Sequence, residues 1–140
     1  MEFREYQQKA TATFKEHESA RDEACDWMVS LAEEVGEVAS LIKHHLWGGE
    51  DLDREKLAKE VGDVLWYLTA LCTTTGVDLD TVAKLNIAKL DHRYSSGGFT
   101  IEGSQARHEL EAKFEETPTY RQLITELPYI SSKEVYEHLW

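Results

Sequence analysis

Cysteine and proline are scarce in this chain, with two of each in 140 residues. Two cysteines, Cys25 and Cys72, make no disulfide framework. Both fall inside apolar helical patterns, so buried thiols in a reducing cytoplasm are expected. Pro118 and Pro128 stand in the last quarter, so no proline interrupts a helix before residue 118. No apolar run approaches the ~18 residues of a membrane span. The opening Met1-Glu2-Phe3-Arg4-Glu5 is too polar for a signal peptide, which again points to a soluble cytoplasmic protein. Positive charge is also in short supply: 15 Lys and Arg face 27 Asp and Glu, a formal net charge of −12. That excess argues against a nucleic-acid backbone or an anionic membrane as the main partner. It leaves room for a nucleotide that arrives with its own cation.

What is present is helical periodicity punctuated by glycine. Phe3, Tyr6, Ala10, Phe14 and His17 predict a first helix over about residues 2–18. Met28, Leu31, Ala32, Val35, Val38, Ala39, Ile42 and Leu46 form the apolar stripe of a second, from about 24 to 46, ended by Gly48-Gly49. Asp51 or Asp53 can cap a third, with core residues Leu57, Val61, Val64, Leu65, Leu68, Leu71 and Cys72. After Gly76, Asp78 can cap a fourth carrying Leu79, Val82, Ala83, Leu85, Leu90 and Tyr94. Short connections make neighbours antiparallel, so an all-α, up-and-down bundle of four helices is expected for residues 1–100. Residues 101–140 are expected to form a charged extension, helical or partly disordered. There Ser104 can cap a thin helix over 104–116, while Thr117-Pro118 and the capping box Ser131-x-x-Glu134 mark two further starts.

One short acidic word occurs twice: Glu34-Val35-Gly36-Glu37-Val38 and Glu60-Val61-Gly62-Asp63-Val64. Each copy sets two carboxylates at i and i+3, on one helix face and beside the apolar stripe. A single such pair is ordinarily a solvated surface. Two matching pairs on neighbouring helices would gather four carboxylates, each pair repelling by roughly 3 kcal/mol at about 5 Å and an effective dielectric near 20. A hard divalent cation, Mg²⁺ or Mn²⁺, relieves that repulsion and is usually held together with phosphate oxygens. Gly36 and Gly62 inside the words predict a close approach of the two helices. Glu33 is rotated outward, a candidate base rather than a first ligand. On the fourth helix Asn86, Lys89 and Arg93 form one polar stripe with Tyr94 beside it, suited to phosphate oxygens. Trp27, Tyr67 and His44 share the acidic side. Two other readings fit helical carboxylate pairs. A ferritin-like di-metal bundle wants Glu-x-x-His on two helices, whereas Glu37 and Asp63 hold those i+3 places here. A non-catalytic helical module with a structural cation site is the other.

These residues resemble a known superfamily. Glu33-Glu34-x-x-Glu37, then Glu60-x-x-Asp63, is similar to the EExxE…ExxD signature of the MazG-like all-α nucleoside triphosphate pyrophosphohydrolases. Asn86-Ile-Ala-Lys-Leu-Asp-His-Arg-Tyr94 resembles an element of small MazG-like proteins, with Ser95 where proline is common. The resemblance implies a Mg²⁺-dependent hydrolase that cleaves a (d)NTP between its α- and β-phosphates, in nucleotide-pool house-cleaning. Glu34, Glu37, Glu60 and Asp63 would hold the metal, with Mn²⁺ as a substitute. Glu33 and Glu37 would be the catalytic candidates for taking the proton of the attacking water. Tyr67, Asn86, Lys89, Arg93 and Tyr94 would bind substrate. The base pocket would draw on the first helix, Trp27 and His44. A homodimer or homotetramer is also implied, with the pocket completed between subunits.

Overall fold

The computed structural model describes residues 1–95 and 97–128. Seven helices and no strand occur among them, so the all-α expectation holds: α1 (Phe3–Thr11), α2 (Ala20–Gly48), α3 (Arg54–Thr74), α4 (Leu79–Arg93), α5 (Ile101–Gln105), α6 (Arg107–Glu115) and α7 (Pro118–Glu126). The capping box at Ser131 lies outside the described residues.

Helix ends follow side-chain chemistry. Asp53 accepts from the Lys56 N–H at 2.9 Å and Asp78 from the Thr81 N–H at 2.9 Å, as their positions predicted. Thr117 caps α7 ahead of Pro118 by accepting from the Tyr120 N–H. Gly49 closes α2 with a φ of 72°, a left-handed turn that glycine adopts without strain.

Three expected boundaries are corrected. α1 stops at Thr11 instead of running to about residue 18. The Thr11 hydroxyl donates to the Gln7 carbonyl and the Thr13 hydroxyl to the Ala10 carbonyl, both at 2.8 Å, so side chains engage acceptors of the last turn. α2 begins at Ala20, earlier than the apolar stripe suggested, because Ser19 accepts from the Asp22 N–H at 3.1 Å. The helix expected over 104–116 is two helices divided at Ala106, and Thr100, not Ser104, caps the first. Gly103 is buried there against Tyr94, where an added Cβ would stand 3.0 Å from a ring carbon.

α2 and α3 form the main hairpin, and α1 lies against both α3 and α4. The chief neighbours of α4 are α1, α6 and α7, so the extension rather than the hairpin covers its outer side. The junction of α1, α3 and α4 is polar and buried. The Gln7 amide donates to the Val77 carbonyl at 2.9 Å and the Thr73 hydroxyl at 3.2 Å, and its oxygen accepts from the Leu79 N–H at 2.9 Å. Asp78, 1% exposed, takes Arg4 in a two-point ion pair at 3.0 and 2.9 Å. Beside this lies an aromatic cluster of Phe14, His17, Trp27, Trp66 and Tyr67. Trp27, 2% exposed, donates its indole N–H to the Thr74 hydroxyl at 3.1 Å.

The predicted apolar stripes are only half covered. Leu31, Val38 and Ile42 of α2 and Leu57, Val64 and Leu65 of α3 are partly buried, but Met28, Val35, Leu46, Val61 and Leu68 are exposed. Val29 and Trp47 are 71% and 80% exposed on the same hairpin. Two helices have only one mutual contact face, and α1 is too short to cover the rest. Cys25 is likewise exposed, against the expected burial, while Cys72 is partly buried and burial pushes its thiol pKa up.

Candidate functional site

The hairpin brings the two acidic words together. Glu34 and Glu37 lie one turn apart on α2, and Glu60 faces them from α3. One carboxylate oxygen from each lies within 4.8 Å of the other two, a separation at which one cation can be shared. Glu34 and Glu60 are half-buried and Glu37 is exposed, so the group opens to solvent on one side. Asp63 is outside that trio of ligand atoms but near enough to act on it. Burial first, then the charges of Asp63, Glu37, Glu60 and Glu33, hold the Glu34 pKa above the usual carboxylate range. A group that resists ionisation among four other acids is one that a divalent ion would relieve. All-oxygen donors with an open side fit a hard cation that keeps some water or phosphate ligands. Among the predicted acids, Glu33 is exposed and contributes the weakest of these charge effects, in keeping with an outer position.

The glycine expectation fails within one chain. A Cβ added at Gly36 or Gly62 would meet nothing within 4 Å, so neither residue is needed for α2 to approach α3. Both instead leave open ground on the outer hairpin face.

The remaining predicted residues separate into two places. Tyr67 joins the aromatic cluster one turn beyond Asp63, its ring centroid 4.9 Å from that of Trp66 and 6.0 Å from that of Trp27. Trp27 itself is almost fully buried in the core. His44 is exposed near the end of α2, its Nδ1 3.8 Å from Glu50. Asn86, Lys89 and Arg93 share a face of α4 that turns toward α6, where Glu111 meets Lys89 at 3.8 Å and Arg93 at 3.7 Å. The Arg93 guanidinium also lies 5.9 Å from the Tyr94 ring centre. No ion pair joins this stripe to the carboxylate trio among the described residues. Within one chain, then, the acids and the cations form two separate groups.

Tyr6 of α1 was missed. Burial, and secondarily the charge of Asp63, raise its phenol pKa. In sequence it is one more member of an apolar stripe, and nothing local marks it as a neighbour of acids.

The chain is 35% identical over 80 residues to the Gene 37 protein of Mycobacterium phage L5, covering 54% of this chain and 68% of that one. No solved structure matches it. Residues 25–97, the stretch that holds both acidic words and the α4 stripe, match the family described as the MazG nucleotide pyrophosphohydrolase domain. Over these residues, half of the chain, this protein belongs to the MazG nucleotide pyrophosphohydrolase family.

Proposed function

We propose that the protein hydrolyses a nucleoside triphosphate between its α- and β-phosphates, releasing the monophosphate and pyrophosphate, with Mg²⁺ as its metal and Mn²⁺ as a substitute. The observation that carries this reading is the convergence of Glu34, Glu37 and Glu60 oxygens within 4.8 Å. Glu34, Glu37, Glu60 and Asp63 would hold the ion, which when bound lowers the pKa of water and offsets charge on phosphoryl oxygens. Glu37 is exposed at the open edge, and Glu33 stands outside it; either carboxylate can accept the proton of an attacking water. Tyr67 borders the metal face, while Asn86, Lys89, Arg93 and Tyr94 bind the phosphate chain through amide, ammonium, guanidinium and phenol donors. The work fits the removal or adjustment of cytoplasmic nucleotides.

The experiment is a panel of ribo- and deoxyribonucleoside triphosphates incubated with Mg²⁺, with products separated by chromatography. Monophosphate plus pyrophosphate is expected from at least one of them, and EDTA should stop it. Diphosphate plus phosphate, or no turnover at all, would contradict the reading.

A complete site requires more than one chain in this proposal. The acids of the hairpin and the cations of α4 face different neighbours in the monomer. Meanwhile Met28, Val29, Val35, Val61 and Leu68 are exposed apolar residues of the same hairpin, and a Cβ at Gly36 or Gly62 would meet nothing within 4 Å. A second copy would bury those residues and bring a second set of side chains to the acids, as a dimer or as half of a tetramer. Sedimentation at micromolar concentration should show such an assembly. A monomer that still hydrolyses nucleotides would remove the need for it.

A further inference from the structure

The family match ends at residue 97, yet the α4 stripe is covered by a helix beyond it. Glu111 of α6 faces both cations, its Oε1 3.8 Å from Lys89 Nζ and its Oε2 3.7 Å from Arg93 Nη2. These are charge contacts too long for hydrogen bonds, unlike the 2.7 Å pair of Lys113 and Glu109 on the same helix. The guanidinium is correspondingly under-used: Arg93 Nε is buried and has no hydrogen-bond partner. An anion with several oxygens could fill that fork better than the single carboxylate does. Space for one exists alongside. A cavity of about 370 Å³ lies between α4, α6 and α7, with Asn86, Lys89, Glu111, Glu115 and Tyr120 among its walls; it reaches Lys89 and not Arg93.

Glu111 is not what fastens α6 in place. Phe114, 3% exposed, anchors the helix between His92 and Tyr120, with ring centroids 5.7 and 5.5 Å away. The carboxylate can therefore yield its position while the helix stays docked. We propose that Glu111 is an intramolecular competitor for the α4 cations, a built-in anion that an entering polyphosphate must displace, so that the extension sets the substrate affinity of the enzyme. This rests on the reading of Lys89 and Arg93 as phosphate ligands. It makes Glu111 a residue that tunes affinity, not a catalytic one, and assigns α6 a role that the matched family region does not contain.

The test compares the full-length protein with Glu111→Gln, which keeps the shape and removes the charge. Glu109→Gln is the control, since it removes the same charge from α6 at a residue paired with Lys113 rather than with α4. Glu111→Gln should lower KM by about two- to fivefold at low salt, the range of a part-exposed ion pair. kcat should hold, and the gain should shrink as salt rises. Glu109→Gln should leave KM where it was. A purely fastening role predicts the reverse, an unchanged or raised KM with a lower melting temperature, and would overturn the proposal. Calorimetric binding of inorganic tripolyphosphate in EDTA separates this question from the reaction itself. If Glu111→Gln binds tripolyphosphate no more tightly than the parent, the competitor role fails whatever the hydrolysis shows. If it binds more tightly while no nucleotide is cleaved, the competitor role stands and the proposed reaction falls.

Discussion

Replacing Glu37 by glutamine is expected to cut nucleotide hydrolysis by about 10²–10³-fold, the loss typical of removing one preorganised electrostatic contact to a reacting phosphoryl or acyl group. The side chain is exposed and forms no hydrogen bond among the described residues, so folding does not depend on it. Circular dichroism and melting temperature should stay at parental values. The change removes one negative charge and replaces one of the two Glu37 carboxylate oxygens by a non-ligating NH2 in a trio whose atoms lie within 4.8 Å, so divalent-ion affinity should fall with activity. A thermal shift on adding Mg²⁺ gives a readout independent of turnover: the parent should be stabilised and the variant much less so. Residual activity within tenfold of the parent would mean that Glu37 is neither ligand nor base. The same loss accompanied by unfolding would mean that the acids serve the fold.

The largest effect on stability is expected at Asp78. It caps α4, accepts from the Thr81 N–H and hydroxyl at 2.9 and 2.6 Å, and pairs with Arg4 of α1. Its own N–H donates to the Leu127 carbonyl at 2.8 Å, so one residue joins α1, α4 and the end of α7. Asp78→Ala removes the cap, leaves the buried Thr81 N–H without its acceptor and reduces the Thr81 hydroxyl to its longer bond with the Glu126 carbonyl, 3.2 Å. A loss of about 2–4 kcal/mol follows, roughly 10 °C in melting temperature for a domain of this size. Arg4 is more than half exposed and can return to water, so its release adds little.

The pH dependence of that effect has a definite sign. Burial alone would raise the Asp78 pKa, but the Arg4 guanidinium and the two Thr81 donors together outweigh it and hold the carboxyl below its ordinary value. A depressed pKa means stability that is present above about pH 4, the unfolded value, and is lost as pH falls through the folded one. Urea unfolding of parent and Asp78→Asn should therefore differ most near neutrality and converge under strong acid. A difference that persists unchanged at low pH would show that the charge of Asp78 is not what stabilises the junction.

How far the sequence could be read depended on how local each cause was. Asp53, Asp78 and Thr117 cap helices through bonds spanning three residues, and each was visible as a small polar residue before a periodic run. The spacing of Glu34, Glu37 and Glu60 was legible for the same reason: i,i+3 positions share a face, and a short turn folds the second word back onto the first. The end of α1 was not legible. Phe14 and His17 continue the helical spacing but reach the aromatic cluster from an irregular segment, where the Trp66 indole donates to the Thr13 hydroxyl at 3.0 Å. Gln7 was equally hidden, since a glutamine in a polar helix reads as surface until Val77 and Leu79 are seen to need its amide.

Composition and periodicity alone settled that this chain is helical, that it carries two carboxylate pairs, and that a third helix holds a compensating cationic stripe. Those are properties of neighbours along the chain, fixed by 3.6 residues per turn. Only the tertiary arrangement decided that three of the acids converge while Asp63 stands beside them, that Gly36 and Gly62 border open ground, and that Lys89 and Arg93 turn to Glu111. The physical reason is that a helix carries all its faces in its sequence, whereas which face meets which partner is set by competition among every apolar and charged surface in the folded chain.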